Sequence, residues 1–259
     1  MTEHRVALIR RPSPRLADGI TTHIQRAPVD VALAQAQWQG YVAALTGAGW
    51  QPVEVESADD CADGVFVEDT AVMFGSLAVL AHPGAAQRRP EVSGTADALR
   101  RLGYRCETIE APGHLDGGDV LKIGNRVYVG RGGRTDAGGV AQLRALLRAA
   151  GRDVTAVPLH RALHLKSAVT ALPDGTVIGW SPVLDDPGFF PHYRAMPEEA
   201  GAHVVDLGEG RLLLSAAAPR SADQLADLGY TPVPVDISEF EKLEGCVTCL
   251  SIRLRDPAR

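Results

Sequence analysis

One plan recurs five times along this chain, and it limits the possible folds more than any other feature. GVFVEDTAVMFGSLAVLAHP, HLDGGDVLKIGNRVYVG, LHLKSAVTALPDGTVIGW and AHVVDLGEGRLLLSA each read as a strand, a turn at Gly, Asn or Asp, and a returning strand, while GCVTCLSIRL reads as a strand alone. Between them, GTADALRRLGY, GGVAQLRALLRAAG and RSADQLADLGY carry apolar residues at three and four, the period of a helix. The spacing is regular: about 47 residues separate Asp69 from Asp116, about 48 separate Asp116 from His164, and about 85 lie between His164 and Cys249, room for two shorter units. The last unit lacks a return strand, and the N-terminal RVALIRRP is a strand without a partner. Each completes the other, so the expected fold is α/β: a single domain over residues 1–259, a five-bladed pseudo-symmetric propeller of ββαβ-like repeats closed into a ring without free edges.

Polar residues unusual for strands fall at equivalent points of the repeat: Glu68 and Asp69, Asp116 and Asp119, His164 and Lys166, then Cys249. Equivalent points of a ring converge on its axis. A thiol, an imidazole and several carboxylates, distant in sequence, are therefore expected in one pocket. Cys246 and Cys249 stand three apart in a β-branched stretch that reads as strand, where such residues point to opposite faces. That weakens a redox pair, which needs a helix start, and a zinc knuckle, which needs a second pair; Cys61 and Cys106 are far apart. It leaves open one working thiol beside a bystander, and Cys246, on an otherwise apolar face, reads as packing. His160 and His164 form an HxxxH spacing, but the glutamate of a metalloprotease helix is missing and the stretch reads as strand.

Composition excludes whole classes. With 45% hydrophobic and 22% charged residues the chain is globular, and no segment nears the roughly 18 apolar residues of a membrane span. The net charge of −6 argues against a nucleic-acid surface. Four cysteines and a start without an apolar leader point to the cytoplasm. The expected partner is a small molecule, with neither membrane nor nucleic acid, and the sequence leaves room for a homodimer.

The segments RVALIRRPSPRLADGITTH, DGVFVEDTAVMFGSLAVLAHPGAAQRRPEV, LDGGDVL, GRTDAGG, LHLKSAVTAL and LEGCVTCLSIRL, spread over nearly the whole chain, resemble the dimethylarginine dimethylaminohydrolase family of the pentein, or guanidino-modifying, superfamily. The resemblance implies a pentein fold and assigns roles. Cys249 matches the nucleophile that forms a covalent thioether with the guanidinium carbon, His164 the general acid and base, and Asp116 the carboxylate that orients the histidine. Some family members carry glutamate at that last position. Asp69 matches the grip on the guanidinium, with Asp63 and Glu68 as its neighbours. Arg88 and Arg134 match the pair that takes the substrate carboxylate, and Leu16 matches a mobile lid. The implied reaction converts N-methylated L-arginine to L-citrulline and dimethylamine or methylamine, with no metal and no cofactor.

Arginine or agmatine deiminases and amidinotransferases share the fold. Deiminases typically carry HxD where this chain has HLK, and losing that carboxylate makes room for methyl groups. A reading of another class is a silent module that binds arginine derivatives. Relatives commonly carry an AANC-like stretch before the fourth blade, where this chain has AGAH at residues 200–203.

Overall fold

The computed structural model describes residues 5–255. Within them the repeat becomes five three-stranded sheets of one design: an inner strand, a middle strand antiparallel to it, and an outer strand parallel to the middle one. The inner strands are Ala71–Phe74, Val120–Ile123, Val169–Ala171, Val205–Gly208 and Ile252–Arg255. Hairpins join inner to middle strands in the first four sheets; Gly75 and Gly124 take φ of +60° and +55° at two of these turns, a region that costs glycine nothing. A parallel partner cannot be reached by a hairpin, so helices Val31–Gly47, Glu91–Arg101, Ala137–Leu147 and Pro219–Asp227 carry the chain to four of the outer strands. In the third sheet the crossover is two 3-10 turns, Ser181–Val183 and Pro187–Phe189, and Leu184 and Phe190 join that sheet's apolar cluster.

Arg5–Ile9 is the middle strand of the fifth sheet, antiparallel to Ile252–Arg255 with Val6 opposite Leu254 and Leu8 opposite Ile252. The ring closes by packing and not by a continuous ladder: the sheets remain separate, so each keeps its edges. The pleat explains the closure. Val6 and Leu8 point into the apolar cluster shared with the sheet of Ala71–Phe74, while Ala7 and Ile9 point into the one shared with the sheet of Val205–Gly208. Val72 and Phe74 likewise meet Val127 and Val129, Tyr128 meets Val169 and Val177, and Ile178 meets Leu212 and Leu214. Five clusters thus lie one between each pair of neighbouring sheets, and strands buried on both faces read as unbroken apolar runs.

Two expectations about strands are corrected. Residues 246–250 form a turn, with Cys249 N donating to Cys246 O at 3.1 Å, and the strand begins only at Ile252. His164 stands in extended backbone just before the 3-10 turn Leu165–Ser167, with the strand starting at Val169. Tertiary contacts override β propensity here: Cys249 O accepts from Glu68 N at 3.1 Å, and Thr248 Oγ1 donates to the Glu68 carboxylate at 2.8 Å, so the turn is tied across the axis to the next sheet.

Candidate active site

The equivalent points of the repeat are short turns at the entrances of the inner strands. Val67–Thr70 carries Asp69, Gly117–Asp119 follows Asp116, Leu165–Ser167 follows His164, and the 246–250 turn carries Cys249. A turn of this kind bends the backbone inward just before the strand, so residues about 50 or more positions apart meet at one end of the axis. Close backbone approach is required: a Cβ on Gly117 would lie 2.1 Å from Glu68 O, and one on Gly118 would lie 2.7 Å from His164 Nδ1.

Asp63, Asp69, Arg88, Arg134, His164 and Cys249 line one cavity, with Ile20, Phe66, Leu243 and Gly245 among its other walls. It measures about 10 Å³, the room of a single water molecule. Asp116 lies behind His164, wholly buried; its carboxylate accepts from His164 Nε2 at 3.0 Å and from Gly84 N at 2.9 Å. With Nε2 committed, Nδ1 is the nitrogen left for chemistry, 3.7 Å from Asp69 Oδ1. Burial alone would lower the imidazole, but Asp69, the Asp116 hydrogen bond and Asp119 outweigh it and hold His164 up at about 9. Asp69 shows the reciprocal effect: burial opposes its charge, yet His164 and Arg88 keep it well below the usual carboxylate range. Asp119 holds the scaffold, accepting from Leu165 N at 2.9 Å and from Thr135 Oγ1 at 2.6 Å, and burial pushes it up to about 6.

Cys246 is no apolar bystander. Its sulfur lies 3.2 Å from Cys249 Sγ and 3.3 Å from Thr248 Oγ1, because the turn brings together side chains that a strand would separate. That contact, then burial and the Glu68 and Asp69 carboxylates, push the Cys249 thiol well up, so it rests protonated.

Two of the expected site residues, Glu68 and Leu16, do not line this cavity, and Arg88, which does, is largely committed to other partners. Glu68 faces away from the cavity, bonded to Thr248 Oγ1 and paired with Lys166 at 2.6 Å. Leu16 is completely buried in the core cluster between the fourth and fifth sheets, and Ile20, four residues on, supplies the loop's contribution to the cavity wall. Arg88 is engaged within the chain: Nη1 donates to Asp69 at 2.6 Å, Nε and Nη2 grip Glu91, and Nη2 reaches Phe66 O at 3.0 Å. Arg134 contrasts with it. Its buried Nη1 has no hydrogen-bond partner among the described residues, and Asp116 Oδ2 stands 3.6 Å from it. A cationic donor left without an acceptor beside a cavity is suited to an anionic ligand group.

Sequence reasoning missed Ile20, Phe66 and Leu243, whose apolar character carries no chemical signal, and Tyr41, which reaches the cysteine turn from helix Val31–Gly47. Its hydroxyl donates to Val247 O at 2.9 Å and lies 2.7 Å from Ser251 Oγ. Asp69, Asp116 and His164 can offer three ligand atoms within 4.8 Å of one another, the only such group among the described residues. These atoms are already arranged about the imidazolium, an ion-pair cluster as it stands.

A five-sheet ring whose inner strands deliver a thiol, an imidazolium and carboxylates to one end of the axis defines the guanidino-modifying, or pentein, class. No family model matches the chain. It is 60% identical over 250 residues to a dimethylarginine dimethylaminohydrolase of Streptomyces coelicolor, covering 96% of this chain and 97% of that one. It is 32% identical over 258 residues to the Pseudomonas aeruginosa dimethylarginine dimethylaminohydrolase, covering 98% and 100%. The solved structure of a cysteine-to-serine mutant of the Pseudomonas enzyme, complexed with citrulline, superposes with a TM-score of 0.90 at 30% identity over 97% of this chain and 100% of that one. The chain belongs to the dimethylarginine dimethylaminohydrolase family.

Proposed function

We propose that this chain hydrolyses N-methylated L-arginine to L-citrulline, releasing dimethylamine or methylamine, with Cys249 as nucleophile. The observation that carries the reading is the charge pattern of one cavity: a protonated thiol, an imidazolium held near 9, and the carboxylates of Asp63 and Asp69. A guanidinium keeps its charge near neutral pH, so its burial needs those carboxylates. Its arrival places a cation beside Cys249 and lowers the thiol, which loses its proton to solvent. The thiolate attacks the guanidinium carbon. His164 passes its Nδ1 proton to the departing dimethylamine as the C–N bond breaks, leaving a thioether intermediate. The neutral imidazole then takes a proton from water, whose oxygen attacks the same carbon; the C–S bond breaks and citrulline leaves.

Arg134, with its unpartnered Nη1, takes the amino acid's carboxylate, and Arg88 braces Asp69 from behind while offering the remaining N–H of Nη1. Lys166 turns away to Glu68, so no carboxylate enters from that position to hold an unsubstituted guanidinium. A cavity of about 10 Å³ cannot hold arginine, so substrate enters when a wall yields. The segment after Asp18, irregular and largely exposed up to the helix at Val31, is the wall best able to do so; it is held by Asp63 at Ile20 N and by Glu244 at Thr22 N and His23 N. Free cysteines support a cytoplasmic location, and the closed ring supports one catalytic domain. Among the described residues no helix is long and apolar enough to cross a membrane.

The test incubates the protein and its Cys249→Ser variant with asymmetric dimethylarginine and, separately, with arginine, measuring citrulline, dimethylamine and ammonia. Equal citrulline and dimethylamine from the native chain alone is the expected result. Ammonia from arginine moves the chain to the deiminases, and silence on both substrates favours the binding module.

A further inference from the structure

The far end of the axis holds a second, larger cavity of about 420 Å³. The catalytic residues precede the inner strands, whereas this chamber runs from Glu68, Gly117 and Lys166 in the same turns along the strands to Phe74, Lys122 and Arg255. Its wall carries Lys122, Arg152, Lys166, Arg253 and Arg255, with Glu68 as its one carboxylate among the described residues. Arg255 is paired with Asp206 at 2.7 Å, which among the described residues leaves Lys122, Arg152, Lys166 and Arg253 with Glu68 as their one carboxylate on this wall. Lys122 is open to the chamber's water, and its ammonium donates to Met73 O at 2.7 Å. Lys122 and the Arg152 guanidinium both sit over the Phe74 ring, 5.5 and 5.6 Å from its centre, on a face that leaves their charge unneutralised.

We infer that this chamber is a binding site for a compact polyvalent oxyanion of the phosphate class, and that its occupancy is linked to the reactivity of Cys249. Arginine forks and lysine point charges crowded in one concavity are the groups that recognise phosphate oxygens, and an anion there relieves their mutual repulsion. The linkage runs through Glu68, which is the partition between the two cavities. Its carboxylate meets Lys166 at 2.6 Å and Arg253 at 3.6 Å on the chamber side, and accepts from Thr248 Oγ1 at 2.8 Å on the other. Thr248 Oγ1 lies 3.3 Å from Cys246 Sγ, which lies 3.2 Å from Cys249 Sγ. An anion competes with Glu68 for Lys166 and Arg253, leaves more negative potential at the cysteine turn, and so raises the Cys249 thiol further. By reciprocity, deprotonating that thiol weakens anion binding.

The probe is pyrophosphate, titrated calorimetrically into the full chain at constant ionic strength, alongside Lys122→Gln/Arg152→Gln. The single variant Arg152→Gln, at a half-buried residue whose one side-chain hydrogen bond among the described residues is Nη1 to Gly124 O at 3.0 Å, serves if the double variant fails to fold. In parallel, iodoacetamide labelling of Cys249 is followed by tandem mass spectrometry across pH, with and without pyrophosphate. Saturable binding, weakened about tenfold or more in the variant, together with an upward shift of the labelling midpoint in the native chain only, is the expected result. Absence of saturable binding, binding that the variants retain unchanged, or a labelling midpoint that pyrophosphate does not move each overturns the inference.

Discussion

Asp116 touches no cavity wall, yet it decides which nitrogen of His164 faces the reaction. Its carboxylate accepts from Nε2 at 3.0 Å inside a fully buried environment, so Asp116→Asn keeps the volume while removing the charge that holds the imidazolium. The expected outcome is a fall in kcat of about 10²–10⁴-fold with KM little changed, measured by steady-state citrulline formation; a loss confined to KM would make Asp116 a binding residue instead. His164 also links folding to pH. Its folded value of about 9 is raised above the ordinary 6.5 of a free histidine, so the stability it contributes is fully present below 6.5 and is lost as pH rises through 9. Thermal unfolding of the native chain and of His164→Gln across that window should show the native advantage shrinking as pH rises. An advantage that stays constant or grows above 6.5 contradicts the ion-paired imidazolium.

At the scale of elements, the site is made by turns that lie against one another, and the glycines between them have no slack. A Cβ on Gly118 would sit 2.6 Å from Asp69 Oδ1 and 2.7 Å from His164 Nδ1, so Gly118→Ala must displace both catalytic-end side chains. Overpacking of this kind costs about 1–3 kcal/mol, and activity should fall by a larger factor than stability accounts for, read by comparing denaturant unfolding with kcat/KM. Tyr41→Phe tests the other side of the cysteine turn: Val247 O and Ser251 Oγ lose a buried partner, a cost of about 1–3 kcal/mol, detectable as a lowered midpoint of urea unfolding. These turns mark where sequence reading reached its limit. Period-2 apolar runs and Gly turns made the hairpins legible, and the helical period made Glu91–Arg101, Ala137–Leu147 and Pro219–Asp227 legible. Val247 and Thr248 read as strand because their propensity is local, whereas the Thr248 bond to Glu68 spans 180 positions. Convergence of Asp69, His164 and Cys249 was legible from the repeat, but the outward turn of Glu68 and the burial of Leu16 depend on neighbours that no spacing displays.

At the scale of the whole molecule, the ring makes the two ends of the chain partners in one sheet, with Arg5 opposite Arg255. Closure rests on the ladder of Arg5–Ile9 with Ile252–Arg255, on Val6 and Leu8 packing with Ala71 and Met73 on one side, and on Ala7 and Ile9 packing with Val205 and Leu213 on the other. If those contacts define the ring, the position of the chain break around it is arbitrary wherever a turn lies away from the axis. The turn at Gly124 and Asn125 is such a place: both residues are partly or fully exposed, and neither lines the catalytic cavity. A circular permutant with its original ends joined and new ends opened between Gly124 and Asn125 should therefore fold and keep citrulline formation, its Tm lowered by no more than about 2–4 °C, the equivalent of about 1 kcal/mol at this size. Opening the chain instead between Val247 and Thr248 severs the turn that ties Cys249 to Glu68, and should abolish activity even where far-ultraviolet circular dichroism shows the sheets intact. Loss of folding in the first permutant would mean that the strand Arg5–Ile9 must be made at the start of the chain to nucleate the ring, and that closure is a matter of order as well as of contact.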